Sequence, residues 1–329
     1  MSSASDELNE LKRSLQDKHL YTPPSSDTPA SHDDATLLRF LRARKFDPVK
    51  AHKQFAATEA WRVKLDVLNL YATFDPDELE SAKRFYPRWT GRRDKHGIPV
   101  YIFRLASLSG TLQKELNATP EERRYQRIVA LWEFMSRFTL PLCSALPHSP
   151  LVPSSPDAPS PVTSSLPSPT SQPPVTATTS IIDLGGVSLG MMWSLRRHLQ
   201  QASELATAHY PETLHTIAVV NAPSFFPTVW SWIKAWFDEG TRNKVHVLGA
   251  DPGPVLLQLM DADSLPQVYG GTLPFTFEDE PVLDTPAREL LGSDEIPRGP
   301  IVFVDGKVAR PEGCPEPRYA PNGSAETST

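Results

Sequence analysis

The stretch that decides the fold runs from Ser180 to Pro223: SIIDLGGVSLGMMWSLRRHLQQASELATAHYPETLHTIAVVNAP. SIIDL (180–184) is a short apolar, β-branched run stopped by Gly185-Gly186, and TIAVVN (216–221) is a second run. Between them, residues 189–209 carry a helical pattern. A strand, a helix and a strand at this spacing predict a parallel βαβ unit. KVHVLG (244–249) continues the alternation after a helical pattern at 224–239, and another helix is predicted over 252–260. Upstream, IPVYIFRL (98–105) is the remaining strong strand signal. The sequence is therefore read as α/β, with a mostly parallel sheet.

Helices dominate the N-terminal region. Leu8, Leu11 and Leu15 share one face of a helix over 6–20. Asp33-Asp34 precede TLLRFLRARKF, whose apolar stripe is Leu37, Leu38 and Leu41. Asp47-Pro48 and Asp75-Pro76 each place an N-cap before a proline at the first helical position. The first of these predicts a helix to about Lys64 that buries Val49, His52, Phe55, Ala56 and Trp61 or their neighbours. Thr119 to Glu122 has capping-box spacing. The expected organisation is an N-terminal helix and loose linker (1–30), a helical region (31–75), an α/β domain (76–277), and an acidic, Pro-rich tail (278–329) containing an Asp-Gly hairpin over 302–309.

The chain of 329 residues has 39 % apolar and 22 % charged residues and a net charge of −6, which argues against nucleic acid as a partner. Two distant cysteines, Cys143 and Cys314, exclude a disulfide scaffold or a cysteine zinc cluster. The histidines do not cluster with carboxylates at ligand spacing, so no metal and no cofactor is expected. No secretory h-region and no run of about 18 apolar residues are visible. Pro, Ser and Thr make up 22 of the 32 residues from Pro147 to Thr178. Such a segment cannot bury enough apolar surface to offset its ordering entropy, so 147–178 is read as a disordered insertion or a translated intron.

Gly186-Val187-Ser188-Leu189-Gly190 matches a hydrolase nucleophile elbow, but no acid followed by a histidine stands downstream in the required order. No P-loop or dinucleotide fingerprint is present. Two local patches are basic: Lys83, Arg84, Arg88, Arg92, Arg93 and Lys95, and then Arg39, Arg42, Arg44 and Lys45. They are read either as solvated faces or as an attraction for phosphate or an anionic membrane surface. In 224–239, SFFPTVWSWIKAWFDE, the residues Phe225, Phe226, Val229, Trp230, Ile233, Trp236 and Phe237 follow helical spacing, with Trp232 widening the stripe. That pattern suits a lid over an apolar pocket or a helix that touches a bilayer.

These strings, together with DDATLLRFLRARKFD, FYPRWTGRRDKHGIPVY and LPQVYGG, resemble the CRAL-TRIO family over roughly 33–277. They are most similar to the fungal phosphatidylinositol/phosphatidylcholine transfer type. The resemblance implies an all-helical N-terminal cap and an α/β lobe whose sheet floors an apolar lipid pocket, closed by a gate helix at 224–239. It implies inositol-lipid headgroup contacts at Arg44, Lys45, Thr241 and Lys244, with Gln201 where the family carries a glutamate. It implies choline-lipid contacts at Tyr101, Thr178 and Ser180, with Phe134 and Thr90 replacing family tyrosines.

The expected function is non-enzymatic: a phospholipid-binding and transfer or exchange protein, cytoplasmic and monomeric. It would be peripheral on Golgi, endosomal or plasma membranes through transient contact. The alternative is a lipid-sensing adaptor of the same fold that recruits SH3-like domains or kinases through its Pro-rich insertion. A hydrolase using Ser188 is a distant third.

Overall fold

The structure, a computed structural model, describes residues 3–148, 173–237 and 239–317. Most of the insertion therefore lies outside the described residues, as do the partners read from it. Three helices, α1 (Ala4–Gln16), α2 (Asp34–Ala43) and α3 (Pro48–Leu65), form the N-terminal cap. They bury Leu8, Leu11 and Leu15 against Leu37, Phe40, Leu41 and Phe55. Asp33 and Asp47 cap as their spacing predicts, accepting the Thr36 N–H at 2.7 Å and the Lys50 N–H at 3.0 Å. The phase of α3 differs from the expectation. Val49 is 75 % exposed, while Gln54 and Thr58 are buried. Their side chains donate to the Thr207 and Ala208 carbonyls, the otherwise unpaired C-terminal acceptors of a second helix.

Helices α4 (Val67–Ala72) and α5 (Pro76–Ala82) lead into β1 (Arg88–Arg93) and β2 (Pro99–Arg104). After α6 (Gly110–Ala118) come α7 (Glu121–Phe134) and α8 (Leu140–Ala145), joined by a widened π turn over Met135–Thr139. Pro141, which has no N–H to bond back into the helix, is a physical reason for that turn. The Thr119 capping box does not form. The Thr119 hydroxyl donates to the Glu115 carbonyl instead, closing α6, and α7 starts without a side-chain cap. Then follow β3 (Thr178–Asp183), α9 (Leu189–His209), β4 (Leu214–Val220), α10 (Phe226–Ile233), α11 (Glu239–Asn243), β5 (Val245–Val247), α12 (Gly253–Leu259), α13 (Thr285–Leu291), β6 (Val302–Val304) and β7 (Lys307–Ala309).

The main sheet has order β1-β2-β3-β4-β5, with β1 antiparallel to β2 and the other pairs parallel. Its register sets two rows on one face. One is Tyr101–Ser180–Ile217–Val245, and the other is Phe103–Ile182–Val219–Val247. Period-two alternation sends Val100, Ile102, Ile181 and Ala218 to the opposite face, where they are buried.

β1 is the strand the sequence reading missed, because WTGRR looks like a basic loop. Four of the six charges are matched locally: Lys83 by Glu80 (2.6 Å), Arg84 by Glu115 (3.3 Å), Arg93 by Asp284 (2.8 Å), and the Lys95 ammonium by the Leu257 carbonyl (2.7 Å). These four serve packing rather than phosphate attraction. Gly91 lies within β1 at φ +85°, and a Cβ there would sit 2.5 Å from the Val282 backbone. Gly91→Ala is expected to cost about 1–3 kcal/mol in urea unfolding, from strain and collision together.

The segment after Glu278 packs against the lobe. Leu283, Ala287, Ile301 and Phe303 join Tyr71, Phe74 and Leu79 in a second core cluster. The Tyr71 hydroxyl donates to the Ile301 carbonyl (2.6 Å) and accepts the Ile301 N–H (3.0 Å). The Asp-Gly hairpin forms as expected, with Asp305 and Gly306 both at positive φ. Thr178, placed at the end of the insertion by composition, is the first residue of β3 and is buried. The Ser144 hydroxyl accepts the Val175 N–H at 2.9 Å, so the two described edges of the insertion meet.

Candidate functional site

The two sheet rows floor an apolar cavity of about 310 Å³. Every row residue except Val247 lines it. Its walls come from α7, with Leu131 and Trp132, from Met135 at the start of the π turn, and from α9, with Leu199, Ala202 and Ala206. Arg44, Glu212, Thr241 and Lys244 bring polar groups to the same lining. Trp132, Tyr210 and Glu212 are not among the expected contacts. Tyr210 stacks on Trp132 (ring centroids 5.2 Å apart). Glu212 holds a left-handed backbone (φ +58°) in the turn before β4.

The expected gate is not one helix. α10 ends at Ile233, a 3-10 turn covers Lys234–Trp236, and Phe237 is extended. The break folds Phe237 back to stack on Trp230, with centroids 6.2 Å apart. Phe226, Trp230, Ile233, Trp236 and Phe237 line the cavity. Val229 is buried in the main core instead, and Phe225 packs against that core.

Among the expected inositol-lipid contacts, Arg44, Thr241 and Lys244 line the cavity. Lys45 does not, because its ammonium is turned to Glu239, 2.8 Å away, with both side chains exposed. That pairing raises the Lys45 pKa and lowers that of Glu239. Lys244 is likewise held by Glu212 at 2.8 Å. Gln201 does not line the cavity, although its neighbours Ala202 and Ser203 do.

Among the choline-lipid residues, Tyr101, Thr178 and Ser180 line the cavity. Tyr101 reaches the Thr139 hydroxyl at 3.3 Å, and Thr178 donates to the Thr213 carbonyl at 3.3 Å. The Ser180 hydroxyl has no hydrogen-bond partner among the described residues, so it is available to a ligand. Phe134 faces a different cavity. Thr90 is buried in β1, donating to the Val100 carbonyl at 3.1 Å. Ser188 is the N-cap of α9: its Oγ accepts the Met191 N–H at 3.2 Å.

His198 also lines the cavity, with Nε2 3.1 Å from the Phe85 carbonyl. Burial, partly offset by that carbonyl, pushes its pKa from the ordinary 6.5 down to about 4. Between those values the unfolded chain binds a proton that the folded chain refuses, so stability rises with pH and is lost as pH falls from 6.5 through 4. The expected loss is about 3 kcal/mol. Urea unfolding of His198→Gln, compared with the parent at pH 7 and pH 4, should show a pH dependence smaller by about that amount.

Among the described residues, no helix is long and apolar enough to cross a membrane, and no group of three or more potential metal ligands assembles. Comparison with solved structures finds the fold of "Crystal structure of Sfh5" (TM-score 0.57, 18 % identity, 84 % of this chain and 91 % of that one). The chain is 32 % identical over 239 residues to the Sec14 cytosolic factor of Schizosaccharomyces pombe, covering 73 % of this chain and 74 % of that protein. It is 29 % identical over 281 residues to the SEC14 cytosolic factor of Candida glabrata, covering 85 % and 80 %. It is 33 % identical over 245 residues to the Arabidopsis thaliana phosphatidylinositol/phosphatidylcholine transfer protein SFH7, covering 74 % of this chain and 40 % of that longer protein. A family model for the N-terminal CRAL/TRIO domain matches residues 7–57, which span the helical cap, and one for the CRAL/TRIO domain matches residues 86–271, which span the sheet and its cavity. With cap, sheet and apolar cavity matched together, the chain belongs to the CRAL/TRIO family.

Proposed function

We propose that this protein holds one phospholipid in the apolar cavity and transfers or exchanges it at the cytosolic face of membranes. The observation that carries this reading is a sheet-floored apolar cavity with cationic and hydroxyl groups in its lining. A diacyl lipid exposes on the order of 30 methylenes at about 0.8 kcal/mol each, so carrying it bare through water would cost roughly 20–25 kcal/mol. A closed apolar cavity removes that cost. No covalent chemistry is required, and the one elbow-like serine is engaged as a helix cap.

The phosphate is assigned to Arg44, Thr241 and Lys244, where a guanidinium and an ammonium can make charge-assisted hydrogen bonds. It would have to displace Glu212 from Lys244. The Ser180 hydroxyl and the Tyr101 ring mark a second polar point on the floor, suited to a choline phosphate. Lys45 is assigned to its exposed ion pair with Glu239 rather than to the headgroup.

Lys244→Ala is expected to lower phosphatidylinositol loading about tenfold and phosphatidylcholine loading less than about threefold, measured by mass spectrometry after exposure to mixed vesicles. Equal loading in mutant and parent would remove Lys244 from the site. Lipid extraction from the native protein tests the reading itself: one phospholipid per chain supports it, and a folded, lipid-free protein refutes it.

A further inference from the structure

We propose that a second cavity, separate from the lipid cavity, binds a small organic anion with an aromatic or other apolar body. This cavity holds about 720 Å³, a size usual for small-molecule sites. It lies between β1, β2, α7 and the C-terminal segment. Pro87, Tyr101 and Leu131 line both cavities and form the wall between them.

The charge at its floor is unbalanced. Arg88 is 7 % exposed. One guanidinium nitrogen donates to the Phe277 carbonyl at 2.7 Å. The other is 3.8 Å from Glu280, too far for a hydrogen bond, and Glu280 itself stands out in solvent. Its guanidinium carbon also lies 5.9 Å from the centre of the Phe277 ring, at the far limit of a cation–π contact. A buried cation held by one carbonyl, a ring at that distance and a distant carboxylate is costly, and an oxyanion would satisfy it.

The neighbouring cation does not share this need. Lys83 is 2.6 Å from Glu80, whose other oxygen accepts the Gly299 N–H at 2.9 Å. The Lys83 ammonium also lies 4.6 Å over the Phe134 ring. Trp89, Tyr101 and Phe134 supply buried ring surface for an apolar body. At the rim, exposed Glu295 and Glu316 oppose exposed Arg298 and Arg310, a balance that solvent screens. The selective element is therefore the Arg88 fork, which matches a sulfonate, carboxylate or phosphate in two-point contact.

The test uses 8-anilinonaphthalene-1-sulfonate and its uncharged counterpart N-phenyl-1-naphthylamine, titrated by fluorescence into the full chain with and without phosphatidylinositol. One sulfonate probe should bind per chain and remain bound when the lipid is added. Arg88→Met should weaken the sulfonate at least about tenfold and the uncharged probe less than about threefold. Glu280→Gln, which removes the competing carboxylate and leaves the Phe277 contact intact, should tighten the sulfonate about threefold. Expulsion of the sulfonate by phosphatidylinositol would place it in the lipid cavity and overturn the proposal. So would equal sulfonate affinity in the parent and Arg88→Met. Should Arg88→Met fail to fold, an unchanged affinity in Glu280→Gln overturns the proposal by itself.

Discussion

Arg62→Leu is expected to lower the unfolding free energy by about 3–5 kcal/mol. Arg62 on α3 forms a bidentate pair with Glu133 on α7, at 2.8 and 3.1 Å. Glu133 is 1 % exposed, and its other close partner is the Tyr210 hydroxyl, 2.7 Å away. Removing the guanidinium strands a buried carboxylate, since Arg137 approaches it only to 3.7 Å. The same contact ties the N-terminal cap to the lobe, assisted by Trp61 stacked on His209 with centroids 4.0 Å apart. The double variant Arg62→Leu/Glu133→Leu should recover much of the loss, because it removes both charges together. Chemical denaturation of the three proteins checks this. A single mutant within about 1 kcal/mol of the parent would show that water or another cation reaches Glu133.

The second large effect is expected at Ser180. It sits in the middle of the cavity floor, between Tyr101 and Ile217 in the sheet register. Ser180→Trp would put an indole where the proposed lipid lies. We expect loading to fall at least about 100-fold, roughly 2.8 kcal/mol, whatever the headgroup. The thermal midpoint should stay near that of the parent, since the ring enters existing space rather than packed core. Parent-like loading by a folded variant would mean that the lipid lies elsewhere, and would sink the cavity assignment. Lys244→Ala, in contrast, should discriminate between headgroups, so the two variants separate the acyl site from the phosphate site.

Much of the architecture was legible because the signals are local. Asp33, Asp47 and Asp75 announce helix starts through backbone bonds three residues away. The runs at 98–105, 180–184 and 216–221 are strands because they are apolar and β-branched between turn residues. What escaped depends on partners distant in sequence. Gln54 and Thr58 are buried because α9 ends against them, and nothing near residue 54 predicts this. Arg88 and Arg93 hid a strand because their carbonyl and carboxylate partners lie nearly 200 residues later, at Phe277 and Asp284. At the site, the resemblance brought Arg44, Thr241, Lys244, Tyr101, Thr178 and Ser180 to one cavity. Lys45, Gln201, Phe134 and Thr90 fall outside it, each turned by its own neighbours or by strand and helix phase. The gate stripe was legible as an apolar face. Its break after Ile233 was not, because residues 234–237 keep the helical periodicity while the backbone departs from it.

The junction of Ser144 with Val175 bears on how the chain could be re-engineered. The described chain on the two sides of the insertion meets at one point, where the Ser144 hydroxyl accepts the Val175 N–H and donates to the Val175 carbonyl. A guest domain whose own termini lie close together could be spliced between 148 and 173 without stretching β3 or α8.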